Sequence, residues 1–368
     1  MWHDPRMLVT PAESAIAVVI NLRARRGSDA VLRHCRELLP GARVIASRTA
    51  DEAFAFLRSA PVPPRLIVSG GGDGTVVGLI NAMRRGQTGP ASALAPPGEP
   101  ARSTLALLRL GTGNGWANAT GAPAWRSGLA QLRRLIETAM PVPVRTFDLV
   151  EVAGTAAHFA GTGKDAEIID DFHAQQTGPG LLPARWRAGL PGYLVGFVSR
   201  TLPRGLTRPL AEVELVNTGE DALTIDDQGR PLPLPGGAHG ATLYRGPVDL
   251  CAAGTVPEWG FGFRAFPFAG LVPRRFCLRV YTHGILHALW DMRGIWTGRH
   301  PMPRAHTWLL TRCQATFSRP VPFQAGGDRI GPRDQVEYAL VPEQASLLDW
   351  RSAVFSAAQS ASRRGSCE

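Results

Sequence analysis

Six residues, Gly70-Gly71-Gly72-Asp73-Gly74-Thr75, combine three consecutive glycines with a carboxylate and a hydroxyl. Consecutive glycines let the backbone approach a phosphate closely. A helix that starts at such a turn aims its N–H groups and positive dipole end at the anion, and Thr75 adds a hydroxyl donor. Asp73 does not suit a passive anion site, because a phosphate repels a carboxylate unless that group organises Mg²⁺ or accepts the proton of an attacking hydroxyl. The run therefore points to phosphoryl transfer, against the plainer reading of a Gly/Asp turn whose aspartate caps a helix. A second glycine-rich run, Leu110-Gly111-Thr112-Gly113-Asn114-Gly115, follows about 35 residues later. Alone it reads equally as a tight turn.

Familiar phosphate-binding machinery is excluded. Lys164 is the chain's single lysine and is followed by Asp165, so the G-K-[ST] of a Walker A loop is absent. The strand lysine and HRD loop of protein kinases are missing as well. Any nucleotide must be held some other way.

The elements around the two loops are those of a parallel sheet. Residues 15–21 (AIAVVIN) form an unbroken apolar run, as in a strand buried on both faces. Ser28–Leu39 has helical spacing with Ser28 as cap, Ala42–Ser47 reads as a strand and Asp51–Leu57 as a helix. Leu66–Ser69 is a third strand, and after the glycines Val76, Leu79, Ile80 and Met83 share one helix face. Thr104–Arg109 is a strand leading into the second loop, with helices over Trp116–Ala119 and Trp125–Ala139. Both glycine loops thus follow strands, at the carboxyl edge where open parallel sheets take ligands.

Pro141 and Pro143 mark a change of pattern. Short β-like runs follow at Thr146–Val152, His158–Gly161, Leu210–Val216, Thr242–Leu250, Phe276–Tyr281, Thr307–Phe317 and Gln335–Val341, with Leu181–Leu202 partly helical. The fold class is α/β: a parallel α/β domain over residues 12–142, an antiparallel β-sandwich or barrel-like domain over 143–345, and a tail over 346–368 that is expected to be frayed or disordered from Ala353 on. Trp259, Phe261, Phe263, Phe266 and Phe268 line an acyl-chain pocket, touch membrane or, as aromatic runs more often do, fill the core of the second domain.

Length and composition agree with two domains: 368 residues, 44% hydrophobic and 19% charged. No stretch approaches the roughly 18 apolar residues of a membrane span. The N-terminus lacks a secretory signal pattern, so a cytoplasmic protein is expected. Five cysteines without CxxC spacing imply reduced thiols rather than disulfides or zinc. A net charge of +10 favours acidic partners, but the arginines are dispersed and no nucleic-acid module appears, so nucleic acid is not expected.

GGGDGT followed by LGTGN resembles the catalytic domain shared by diacylglycerol, sphingosine and ceramide kinases, a group related to NAD kinases and phosphofructokinases. Val18–Gly27 (VVINLRARRG) is similar to that family's opening strand and N-P-x-[SG]-G turn, with Leu22 in place of the proline. Phe147-Asp148-Leu149 and Gly161-Thr162-Gly163-Lys164-Asp165-Ala166 resemble its second-domain strand and GxGxDA segment. Arg185, Arg187, Gly189 and Tyr193 resemble its long helix, and Phe323–Asp328 its Q-x-D-G-E turn. Two family carboxylates are replaced, by Gly115 and Gly326.

The resemblance implies transfer of the γ-phosphate of ATP, with Mg²⁺, to a lipid hydroxyl. Asp73 and Asp328 are the catalytic candidates, and Asp148 the metal candidate. Asp165 is the candidate for the substrate's polar head, or else a turn acid. Nucleotide binding falls to Asn21, Gly70, Gly71, Gly72, Gly74, Thr75, Gly111, Thr112, Gly113, Asn114, Arg185 and Arg187. Lys164, Glu167, Asp170 and Asp171 read as solvated charges. The expected partners are the lipid substrate and, peripherally, the anionic inner face of a membrane, with a homodimer left open. A kinase of a soluble acceptor and a non-catalytic nucleotide- or lipid-binding regulator are the alternatives.

Overall fold

The structure is a computed structural model of the chain and describes residues 8–9, 13–86, 92–111, 113–139, 142–177, 183, 190–260 and 262–352. The chain divides into two compact units. One contains the described residues up to Phe147 and those from Pro342 onward, the other Asp148–Val341.

In the first unit, strands β1 (Ile16–Asn21), β2 (Arg43–Ser47), β3 (Leu66–Gly71) and β4 (Thr104–Arg109) pair in parallel in the spatial order β2-β1-β3-β4. Helices α1 (Asp29–Leu38), α2 (Ala50–Arg58) and α3 (Asp73–Arg85) connect them. Helix starts are set by side chains: Ser28 Oγ accepts Val31 N at the head of α1, and Thr49 Oγ1 accepts Glu52 N at the head of α2. β1 and β3 are buried along almost their whole length, as strands covered on both faces must be. The chain steps outward from β1 to β2 and then returns to the other side of β1 for β3. The gap between the carboxyl ends of β1 and β3 is therefore a topological switch point, where open α/β sheets bind ligands. After β4 come α4 (Gly115–Thr120), α5 (Trp125–Glu137) and β5 (Val142–Phe147).

The C-terminal boundary differs from the expected one. Gln344–Leu348 is a strand of this same sheet, parallel to β4 and antiparallel to β5. Leu347, Leu348 and Trp350 are fully buried, so the start of the segment expected to be a tail, from 346 on, is part of the first unit's core. Residues 353–368 lie outside the described residues.

The second unit holds two antiparallel sheets of eight and six strands. Two runs read as single strands are each split at a corner. Thr242–Val248 lies in the six-stranded sheet and Leu250–Gly254 in the eight-stranded one, with Asp249 between; Ala305–Leu310 and Arg312–Val321 divide the same way about Thr311. Tyr338 of the smaller sheet donates its hydroxyl to the Cys251 carbonyl of the larger one at 2.8 Å. Phe159, Ala252, Ala265, Phe266, Ala269, Cys277 and Leu309 form a buried cluster, against which Trp259, Phe263 and Phe268 pack. These aromatic residues are core; Phe261 lies outside the described residues. No helix among the described residues is long and apolar enough to cross a membrane.

Candidate active site

The loops after β1, β3 and β4 are fastened into one cluster. Leu110 N donates to the Gly71 carbonyl and Arg26 N to the Leu110 carbonyl, each at 3.1 Å. Asn21, the last residue of β1, donates from Nδ2 to Thr75 Oγ1 at 2.8 Å and accepts Arg23 N at 2.8 Å. Thr75 is thereby an acceptor toward Asn21, which leaves its hydroxyl proton for an external acceptor such as a phosphate oxygen.

Two glycines are fixed by space. A Cβ on Gly111 would lie 2.2 Å from Gly72 Cα, and one on Gly71 would lie 2.3 Å from Thr75 Oγ1. The glycine loops touch backbone to backbone, and no side chain fits between them. Gly72 is the N-cap residue of α3 and contributes no side-chain bond to it, while Gly74 lies in its first turn. Gly70 ends on β3 beside Ile20. Asn114 adopts a left-handed φ of 57° ahead of α4, and its Nδ2 donates to the Gly111 carbonyl at 3.1 Å. The structure thus gathers Asn21, Gly70, Gly71, Gly72, Asp73, Gly74, Thr75, Gly111, Gly113 and Asn114 at one sheet edge. Thr112 lies outside the described residues.

Asp73 joins the two loops. Its Oδ2 accepts Gly115 N at 2.9 Å and its Oδ1 accepts Trp116 N at 3.0 Å. Both the cap reading and the chemical reading are thus engaged, though the helix capped is α4 and not α3. Burial pushes the carboxyl above its usual range, opposed by the N–H groups of Gly115, Trp116 and Asn114 and by the charge of Arg109. Arg109 was not singled out in the sequence, although it immediately precedes the second glycine run; its guanidinium donates to Asn118 Oδ1 at 2.7 Å. A carboxylate has about four acceptor sites, so Asp73 retains acceptor capacity beyond these backbone bonds.

The remaining candidates lie in the second unit. Asp148 does not have a metal ligand's environment. Its Oδ1 meets Arg274 Nη1 at 2.7 Å and its Oδ2 accepts Arg274 N at 3.0 Å. The same arginine donates to the Val341 carbonyl at 2.8 Å and holds a left-handed φ of 57°. Both oxygens thus face a cation and an N–H, which disfavours a second cation. Asp148 is a clamp at the unit's two chain ends.

Lys164, Glu167 and Asp171 correct the expectation of solvated charges. Lys164 Nζ lies 3.0 Å from Glu167 Oε2 and 3.7 Å from Asp249 Oδ1, and the Asp249 side chain is 3% exposed. Burial raises the Asp249 carboxyl to about 6, with Lys164 pulling it down. Asp171 is buried, accepting Thr201 Oγ1 at 2.6 Å and pairing with Arg204. Asp170 pairs with Arg329 at 2.5 Å. Asp165 is the second residue of the helix Lys164–Thr177.

Asp328 follows Gly326 and Gly327, whose φ values of 59° and 89° form a two-residue hairpin turn between Ala325 and Asp328. A turn of this kind takes Asp-Gly as readily as Gly-Gly, so its geometry does not account for glycine at 326. Asp328 itself is exposed at the hairpin tip. Arg185 and Arg187 lie outside the described residues.

Among the described residues no group of three or more His, Cys, Asp or Glu is placed to hold a metal ion. Asp73 is the carboxylate the glycine loops offer. That fits Mg²⁺, which commonly takes one or two carboxylates and draws its other ligands from phosphate and water.

Residues 15–152 match the family model of the diacylglycerol kinase catalytic domain. The resemblance read from the glycine loops is upheld over that span. A diacylglycerol kinase structure from Bacillus anthracis str. Sterne aligns at 14% identity and a TM-score of 0.55, over 90% of this chain and 96% of that one. A protein from the same strain, solved under a provisional diacylglycerol kinase name, aligns at 13% identity and a TM-score of 0.57, over 92% and 98%. At such identities the likeness is one of fold, and it spans both units. No curated protein matches the chain.

Proposed function

We propose that this chain is an ATP-dependent lipid kinase that transfers the γ-phosphate to a hydroxyl of diacylglycerol or a sphingoid-type lipid. The observation that carries this reading is Asp73, a carboxylate bonded into the seam between two touching glycine loops at the switch point of a parallel sheet. Backbone N–H groups of the loops and the Thr75 hydroxyl hold phosphate oxygens, and Asn21 orients Thr75. Asp73 accepts the proton of the attacking hydroxyl. Its raised pKa, set by burial, suits it to hold that proton once taken. Mg²⁺ would supply charge neutralisation at the phosphates, and Asp73 is the residue that would hold it if it serves as metal organiser in place of base. Asp328, Asp165, Arg185 and Arg187 remain the candidates contributed by the second unit.

A second reading, a nucleotide-binding regulator without turnover, is favoured by Gly115 and Gly326 standing where the family carries acids and by the commitment of Asp148 to Arg274. Calorimetric titration with ATP, paired with a transfer assay on the same preparation, separates the two. Binding with transfer supports the kinase, and binding alone supports the regulator.

A further inference from the structure

Between the strands Phe276–Tyr281 and Ala305–Leu310 the second unit carries two short helices, Ile285–Trp290 and Met292–Thr297, with Asp291 in helical geometry between them. Leu286, Leu289, Trp290 and Arg293 fall at i, i+3, i+4 and i+7, the spacing of a single helical face. That face points to solvent. Trp290 is 85% exposed, Leu286 62% and Leu289 39%, and Trp296 on the next turns is 41% exposed. The helix pair is anchored: Ile285 is buried and meets Gly205 of the helix Leu202–Thr207, while half-exposed Trp296 takes an edge-on contact from Phe263 and its carbonyl accepts Arg264 N. A stripe of leucine and tryptophan turned outward on an anchored helix pair is not explained by the core.

The charge around the stripe says what covers it. From Trp259 to Gly327 the only acidic residue is Asp291, and it pairs with Arg304 at 3.0 Å. Arg264, Arg293 and Arg299 are exposed beside or within the stripe. Tryptophan and leucine turned outward and rimmed by arginine, with the intervening acid Asp291 already paired to Arg304, is the chemistry of an amphipathic helix lying in an anionic lipid interface. We infer that the face formed by Leu286, Leu289, Trp290, Arg293 and Trp296 is the surface by which this protein docks on an anionic membrane. The inference does not depend on phosphoryl transfer, since it concerns binding and rests on the second unit alone.

The test is co-sedimentation of the full chain with phosphatidylcholine vesicles, with and without phosphatidylglycerol. It compares the wild type, Leu286→Ser/Leu289→Ser/Trp290→Ser, and Arg293→Glu/Arg299→Glu. All five positions are exposed, and thermal melts confirm that the variants fold. The wild type is expected to partition onto the anionic vesicles. The serine variant should lose about tenfold or more of that partitioning, and the charge-reversed variant should lose the preference for phosphatidylglycerol. Equal binding by the serine variant and the wild type, or no wild-type binding to anionic vesicles, overturns the assignment. So does a concentration-dependent dimer that the serine substitutions abolish while vesicle binding persists, because the stripe would then be the seat of a second copy.

Discussion

Gly111 and Gly72 lie so close that a Cβ on Gly111 would stand 2.2 Å from the Cα of Gly72. This contact holds the loops after β3 and β4 at a separation that admits backbone only. Gly111→Ala must push the loops apart, an overpacking change costing about 1–3 kcal/mol. ATP affinity should fall by about tenfold or more, as expected when more than about 1.4 kcal/mol of loop geometry is lost. Gly284→Ala is the control, since nothing lies within 4 Å of a Cβ there. Calorimetry and thermal melts of both variants check the expectation, and unchanged ATP affinity in Gly111→Ala would remove the glycine seam from the nucleotide site.

Asp73→Asn tests the carboxylate itself. The amide keeps one acceptor oxygen but turns an NH₂ toward either Gly115 N or Trp116 N, so about 1–3 kcal/mol of stability should be lost. Transfer should drop by about 10²–10⁴-fold, the usual contribution of a general base. A folded Asp73→Asn protein with wild-type turnover would restrict Asp73 to capping α4.

Asp148 and Arg274 are expected to behave as a structural pair. Asp148→Asn should lower stability by about 1–3 kcal/mol through the weakened ion pair and leave the Mg²⁺ requirement of transfer unchanged. A selective rise in the Mg²⁺ concentration needed, with no change in melting temperature, would return Asp148 to the metal site.

Asp249 gives a pH signature. Its carboxyl is raised by burial from 3.8 to about 6, so the folded state holds this proton more tightly than the unfolded one. The associated stability is present in full below about pH 3.8 and is lost as pH rises through about 6, a change of roughly 3 kcal/mol. Asp249→Asn should flatten the stability curve across that window when denaturant melts are run at a series of pH values. An identical slope in both proteins would show that Lys164 already compensates the charge.

What the sequence revealed follows the range of the interactions involved. The alternation of buried strands and amphipathic helices up to β4, and the two glycine loops at strand ends, are local patterns, and the structure places them as read. Asp148 is a metal candidate through the family resemblance alone; its partner Arg274 is 126 residues away, and no local periodicity links them. Lys164 and Asp249 meet for the same reason only in three dimensions. The strand Gln344–Leu348 straddles the expected boundary between β domain and tail at 345/346, because a five-residue strand carries little signal until the sheet that receives it is known. The aromatic run at 259–268 was ambiguous between pocket and core, since both take the same residues; packing against Phe159 and Cys277 decides for core.

The most direct measurement is transfer of radiolabelled γ-phosphate from ATP, with Mg²⁺, to diacylglycerol, sphingosine, ceramide and monoacylglycerol in mixed micelles, with NAD as the soluble control and Asp73→Asn run in parallel. Labelled lipid from the wild type and none from the folded variant is the expected result. Label on NAD alone, or ATP binding with no labelled acceptor, would contradict a lipid kinase.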